Sequence, residues 1–133
     1  MSVGFSARDA TIYRPYPDAI PWELLYEADP DEERVAGYAE LDLMRVAKYR
    51  GEVIGAYVIR KVGAVRFELC NLVVAAEYRH KGLGRWLLGH AIGLAETIGA
   101  REILLRNKAP GELFTRIGFL PCADGALLTL MPE

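Results

Sequence analysis

A short basic segment with two glycines is the part of the chain best suited to bind an anion. Its residues are Arg79, His80, Lys81, Gly82, Leu83, Gly84 and Arg85. The helix-like stretch that begins within it would leave the N–H groups of its first turn unpaired, next to the positive end of the helix dipole. Glycine lets an oxygen-rich ligand approach those groups, and the basic side chains add positive charge. The segment is therefore predicted to hold a pyrophosphate.

A strand and a helix must position this segment. The preceding run, Val65–Val74, alternates apolar and polar residues and ends in the apolar Leu72, Val73 and Val74. It predicts a strand that goes from half-buried to fully buried. After the segment, apolar residues recur at helical spacing, and a glycine stands where a C-terminal cap belongs. These residues are Leu83, Leu87, Ala91, Leu94, Ile98 and the capping Gly99.

The remaining patterns complete a mixed α/β domain over residues 1–133. Before the long strand we predict an edge strand, two short helices and a hairpin, at Thr11–Tyr13, Ala19–Ala28, Asp31–Ala39, Leu41–Tyr49 and Glu52–Arg60. After the long helix we predict a strand, a helix and a closing hairpin, at Glu102–Arg106, Pro110–Ile117, Phe119–Pro121 and Ala126–Met131. The order indicates an antiparallel meander followed by one right-handed β-α-β crossover.

The composition argues against several classes of protein. Sixteen basic and eighteen acidic residues give a net charge of −2, which predicts neither a nucleic-acid partner nor a membrane surface. No apolar run approaches the roughly 20 residues of a membrane span. Two cysteines, Cys70 and Cys122, are too few for a disulfide framework and fit no metal-ligand spacing. We expect two free thiols, no metal and a cytoplasmic protein.

The basic segment resembles the R/Q-x-x-G-x-G/A signature of the GNAT superfamily of acyl-CoA-dependent N-acyltransferases. Two further blocks are similar to the family pattern, Leu72–Tyr78 before the segment and Asn107 with Leu113–Phe119 after it. The resemblance implies a three-layer GNAT domain that transfers an acetyl group from acetyl-CoA to an amine. A dinucleotide-binding fold fits less well, because the third glycine of that fingerprint is missing and a hairpin precedes the segment.

The resemblance also implies which residues bind coenzyme A. The backbone N–H groups of His80–Arg85 would hold the pyrophosphate, with Arg79 adding charge beside them. The main chain of Leu72–Val74 would pair with the pantetheine arm as an added strand does, and Asn107 would touch the same arm. Phe114 stands where many members have a tyrosine that protonates the departing thiolate. Phenylalanine cannot perform that step.

The implied reaction needs a general base. A free alkylamine has a pKa of ~10.4, so supplying its neutral form at pH 7 costs about 4.6 kcal/mol. Glu68, eleven residues before Arg79, has the spacing of the glutamate base in the histone-acetylating branch of the family. The alternative is a surface glutamate paired with Arg66, and Glu40 is a second candidate base. We interpret His90 as structural and Cys70 as a core thiol.

Two functions stay open from the sequence. The first is an N-acetyltransferase with a direct attack of the amine, in which a backbone N–H such as that of Val74 receives the oxyanion. The second is a CoA-binding sensor or scaffold without turnover. The acceptor pocket is predicted from Trp22, Tyr26, Tyr38 and the region near Cys122. Exposed terminal strands make a homodimer possible.

Overall fold

A computed structural model describes residues 5–39, 43–106 and 111–130. Its helices are α1 (Trp22–Ala28), α2 (Glu32–Tyr38), α3 (Leu83–Thr97) and α4 (Glu112–Ile117). Its strands are β1 (Thr11–Tyr13), β2 (Met44–Tyr49), β3 (Glu52–Lys61), β4 (Arg66–Val74), β5 (Glu102–Arg106), β6 (Leu120–Cys122) and β7 (Gly125–Thr129). Short 3₁₀ turns lie at Ala7–Asp9, Pro17–Ala19 and Ala76–Tyr78. The predicted mixed α/β class is confirmed.

The strands form one sheet in the order β1-β2-β3-β4-β5-β7-β6. Strands β4 and β5 pair in parallel through the α3 crossover, and the other described neighbours pair antiparallel. The predicted meander, crossover and terminal hairpin are therefore confirmed. Strand β6 ends the sheet with exposed side chains, and a homodimer through this edge stays a prediction. None of the helices in the described ranges has the length and apolar character of a membrane span.

Two apolar layers enclose the sheet. Helix α3 packs so closely on β3 that a Cβ added to Gly55 would lie 2.8 Å from Leu87 Cδ1, which explains the glycine. Helices α1 and α2 cover the other face with Leu25 and Val35, both fully buried. The predicted stripe of α3 is wrong at its end: Ile98 is 43% exposed, because the helix ends at Thr97 and Ala95 occupies the buried position.

Helix α1 is shorter than the sequence predicts. The predicted start at Ala19 is wrong, because Ile20 precedes Pro21 and takes an extended conformation that a helix cannot include. Helix α2 begins at Glu32 rather than at the predicted Asp31, because Asp31 is its N-cap and accepts a hydrogen bond from the Arg34 backbone N–H through its side chain.

Strand β4 departs from a regular strand in two ways that shape the site. The β3–β4 register shifts by one residue at Cys70. Because side chains alternate along a strand, this bulge turns Glu68 and Asn71 to the same face, towards α1 and α2.

The second departure is an open edge. Pairing between β4 and β5 ends at Glu68 with Leu104, although both strands continue. The edge of β4 from Leu69 to Val74 is therefore not paired with β5. Leu72 and Val74 are half-buried as a result, so the predicted change to full burial is wrong.

Candidate active site

The basic segment forms a tight turn into α3. Gly82 is the N-cap of the helix with φ +88°, and His80 also has a positive φ of +63°. The Trp86 N–H donates to the Gly82 carbonyl at 3.0 Å, which opens the helical hydrogen-bond pattern. The N–H groups before Trp86 in this turn therefore have no acceptor within the helix, which is the arrangement that an anion-binding position requires.

The space beside the turn is open. A Cβ added to Gly82 would meet its nearest heavy atom, Ala7 Cβ, at 4.0 Å. At Gly84 the nearest atoms would be side-chain carbons of Leu113 and Val74 at 3.7 and 3.8 Å, which is ordinary contact. The left-handed φ of Gly82 is thus the feature that demands glycine. The Leu83 side chain is 1% exposed, so Leu83 can serve an anion only through its backbone.

The Arg79 side chain does not join the other basic groups of the turn. Its Nε donates to the Val74 carbonyl at 2.9 Å, and its Nη2 lies 3.2 Å from Glu27 Oε1 in α1. Arg79 therefore links the end of β4 to α1.

The open edge of β4 presents alternate backbone groups. The Ala75 N–H donates to the Ile54 carbonyl of β3 at 2.8 Å, and Val73 pairs with Ala56. Backbone direction alternates along an antiparallel strand, so Leu72 and Val74 face the open edge while Val73 faces β3. Of the three residues predicted to pair with pantetheine, Leu72 and Val74 have the suitable direction.

A cavity of about 560 Å³ adjoins this edge. Its walls come from β3, β4, β5, α2, α4 and the segment between α1 and α2. Side chains that matter chemically are those of Tyr38, Arg60, Glu68, Asn71, Arg106 and Phe114. Tyr38, which is predicted for the acceptor pocket, lines this cavity. Trp22 instead packs on Tyr26 with ring centroids 6.3 Å apart, and Cys122 lies on β6 at the sheet edge.

Glu68 is a buried carboxylate between two arginines. It is 8% exposed, and its Oε1 accepts hydrogen bonds from Arg60 Nη2 at 3.1 Å and Arg106 Nε at 3.4 Å. The alternative of a surface glutamate paired with Arg66 is wrong, since Arg66 pairs with Glu102 at 2.8 Å. The reason is register: Glu68 lies opposite Arg60 on β3.

A second polar network holds the α1–α2 segment against β4 at the cavity. Asn71 Nδ2 donates to the Leu25 carbonyl at 3.0 Å and to the Tyr38 hydroxyl oxygen at 2.9 Å. The Tyr38 hydroxyl donates to Asp29 at 2.9 Å, and Arg34 donates to the same carboxylate through Nε and Nη2. Hydrogen bonds from the Arg34 guanidinium lower the pKa of the Asp29 carboxyl to about 2. Burial raises the pKa of Tyr38, so its hydroxyl stays neutral.

This network predicts a pH-dependent contribution to stability. The pKa of Asp29 falls from 3.8 to about 2 on folding, so the stabilisation is present above pH 4 and is lost as the pH falls towards 2. Asp29→Asn should lower the free energy of unfolding by about 2 kcal/mol at pH 7 and flatten its change between pH 4 and 2. Urea unfolding over this range measures both effects, with the exposed Asp18→Asn as control. An unchanged pH dependence in Asp29→Asn would contradict the assignment.

The surroundings of the Cys70 thiol and the His90 imidazole favour structural roles over catalytic ones. Burial raises the pKa of the Cys70 thiol to about 12, so it is protonated at neutral pH and unsuited as a nucleophile. His90 Nδ1 lies 2.6 Å from the Tyr57 hydroxyl, and burial lowers the pKa of this histidine. Within the described ranges, no group of three or more histidine, cysteine, aspartate or glutamate side chains could hold a metal.

Two predicted site residues lie outside the described residues, namely the second candidate base Glu40 and the candidate pantetheine contact Asn107. The cavity is also lined by residues that no sequence pattern indicated. Arg60 is the second-last residue of β3 and Arg106 the last of β5, positions where arginine is usually solvated, and only the register of three strands brings them to Glu68. Asn71 was detectable in principle, because an amide inside an apolar strand run requires partners.

Comparison with known proteins identifies the family. The model of the acetyltransferase (GNAT) family matches residues 8–119. The chain belongs to the GNAT family of acetyltransferases. A solved relative, an IAA acetyltransferase from Bacillus cereus ATCC 14579, is 33% identical with a TM-score of 0.77 over 86% of this chain and 79% of that one. A GNAT family acetyltransferase from Elizabethkingia anophelis with acetyl-CoA bound is 28% identical, with a TM-score of 0.78 over 86% and 78% of the two chains.

A curated relative, the uncharacterised N-acetyltransferase YvbK of Bacillus subtilis strain 168, is 33% identical over 62% of this chain and 53% of its own length. The chain spans about half the length of the curated relatives it matches, 53% and 47%.

Proposed function

We propose that this GNAT protein transfers an acetyl group from acetyl-CoA to a primary amine. The observation that carries the proposal is the order of three features, the turn at Gly82, the edge of β4 that is not paired with β5, and Glu68 at the cavity where that pairing ends. A turn for pyrophosphate, an edge for an extended arm and a carboxylate at the far end follow one another in that order. The acetyl-CoA bound to the relative from Elizabethkingia anophelis supports the choice of cosubstrate.

The chain's own groups suit the binding of CoA. The N–H groups of His80–Arg85 would hold the pyrophosphate, with Lys81 and Arg85 adding charge. Backbone groups of Leu72 and Val74 would pair with the pantetheine arm. Because the Val74 carbonyl already accepts a hydrogen bond from Arg79, we assign the Val74 N–H to the ligand.

The reaction would be a direct attack in a ternary complex. Glu68 removes one proton from the ammonium form of the acceptor, and the neutral amine nitrogen bonds to the thioester carbon. The tetrahedral intermediate then collapses with cleavage of the carbon–sulfur bond, and its nitrogen releases a second proton, which balances the one that the sulfur takes up. The backbone N–H of Leu72 is better placed than that of Val74 for the oxyanion, because Leu72 lies nearer to Glu68 along β4, and this leaves the Leu72 carbonyl and the Val74 N–H for the pantetheine arm. The departing sulfur takes a proton and leaves as CoA thiol.

Phe114 supplies no acid for that last proton. Its ring lies at the cavity and packs edge-on against Phe119 with centroids 5.5 Å apart. The CoA thiol has a pKa of ~8.5, so protonating it at pH 7 is downhill by about 2 kcal/mol and water can serve. A missing acid therefore costs less than a missing base would.

Amine-dependent release of CoA thiol tests the proposed function. We expect acetyl-CoA to bind in calorimetry and thiol release to rise with an amine from a panel of amino acids, alkylamines and peptides. Binding without thiol release for any amine would favour the alternative, a CoA-binding sensor or scaffold. Absence of acetyl-CoA binding would contradict both functions.

A further inference from the structure

The acceptor end of the cavity carries unbalanced positive charge. Its described lining includes three arginines and two carboxylates. Arg34 is neutralised by Asp29 through two hydrogen bonds of 2.9 and 2.6 Å, and it also lies 3.4 Å from Asp31, which is outside the cavity lining. Arg60 and Arg106 share the single carboxylate of Glu68. Among the described residues, about one positive charge therefore remains beside Glu68.

The two guanidinium groups, rather than the carboxylate, form the accessible surface. The Arg60 and Arg106 side chains are 44% and 41% exposed, whereas the Glu68 side chain is 10% exposed. Their contacts with Glu68 Oε1 are long, at 3.1 to 3.4 Å. A guanidinium has five N–H donors, and a carboxylate is the partner that uses two of them at once.

We propose that the acceptor amine also carries a carboxylate within a few bonds of its nitrogen, as an amino acid does. This inference rests on the proposed acetyltransferase function and names its substrate class. The acceptor carboxylate would bind Arg60 and Arg106, and its ammonium would lie towards Glu68, which would then remove the proton. Each charged group of such an acceptor would therefore lie next to a protein group of opposite charge.

Charge also argues against two other acceptor classes. A purely cationic amine would meet the positive charge that remains among the described residues and would bring no carboxylate of its own to bind it. An acceptor with a phosphate group would bring about two negative charges, more than the one positive charge that remains beside Glu68. A volume of about 560 Å³ suits a small molecule together with the end of the pantetheine arm.

Matched acceptors test the inference in the thiol-release assay. The first set of acceptors is alanine, its amide alaninamide, and ethylamine, which lacks the carboxyl group. We expect kcat/KM for alanine to be at least about tenfold higher than for the other two, and we expect the same order in sets built on larger amino acids. Arg106→Gln should raise KM for the amino acid by about tenfold and reduce the preference for the amino acid over the amide in kcat/KM by a similar factor. Glu68 keeps its contact with Arg60 in this variant.

Arg101→Gln is the matched control. It removes one positive charge just before β5 begins, at the end of the strand away from Arg106, and should leave the KM values for the amino acid and the amide unchanged. Equal or faster turnover of the amide or the alkylamine would overturn the inference while the proposed function stands. Acetyl-CoA binding without turnover of any acceptor would overturn both.

Discussion

Replacing Glu68 by glutamine is expected to lower kcat by about 100-fold or more, because a positioned general base contributes roughly 10²–10⁴-fold. Glutamine keeps the size of the side chain, and its carbonyl oxygen can still accept hydrogen bonds from Arg60 and Arg106. The affinity for acetyl-CoA, measured by calorimetry, should stay the same because the proposed CoA contacts, which lie between Leu72 and Arg85, do not include Glu68.

The pH profile separates a base from a structural group. Without an internal base the reaction depends on free amine from solution, so the activity of Glu68→Gln should climb steadily between pH 6 and 9. Glu102→Gln is the matched control, since Glu102 is also ion-paired, with Arg66 at 2.8 Å on the adjacent strand. Full activity of Glu68→Gln across this range would contradict its role as the base.

Replacing Gly82 by glutamate is expected to weaken acetyl-CoA binding by about 100-fold or more, equivalent to about 2.7 kcal/mol. Gly82 has φ +88°, a conformation that costs another residue about 1–2 kcal/mol. The new carboxylate would also place negative charge where the pyrophosphate is proposed to bind.

Gly89→Glu makes the same change of charge on the same helix and serves as control. Gly89 is exposed, and a Cβ added there meets no atom within 4 Å, so its affinity for acetyl-CoA should match that of the unaltered protein. Calorimetry on both variants checks the assignment, and a Gly82→Glu variant with unchanged affinity would refute it.

Periodicity and turn chemistry predicted most of the fold. The helix after the basic segment, its cap at Gly99 and the parallel crossover to Glu102–Arg106 all follow from patterns within a few residues. Local patterns could not reveal the bulge at Cys70, because a strand with one extra residue reads like a regular one. They also could not show that the pairing between β4 and β5 ends at Glu68, because the end of this pairing depends on how the two strands pack in the folded domain.

The candidate site was predicted in part. The turn at Gly82 and the carboxylate of Glu68 were identified because family spacing and helix physics both point to them. The partners of Glu68 were not, since Arg60 and Arg106 reach it only through the register of β3, β4 and β5. Asp29 likewise becomes buried only when α1 and α2 fold over the sheet.

The most direct test of the account is a mass-spectrometric count of products after stoichiometric protein has reacted with acetyl-CoA and its best amine acceptor. We predict equal amounts of free CoA and N-acetylated amine, with no acetyl group left on the protein. Release of CoA without N-acetylated amine, or an acetyl group bound to the protein in place of the product, would contradict direct transfer at Glu68.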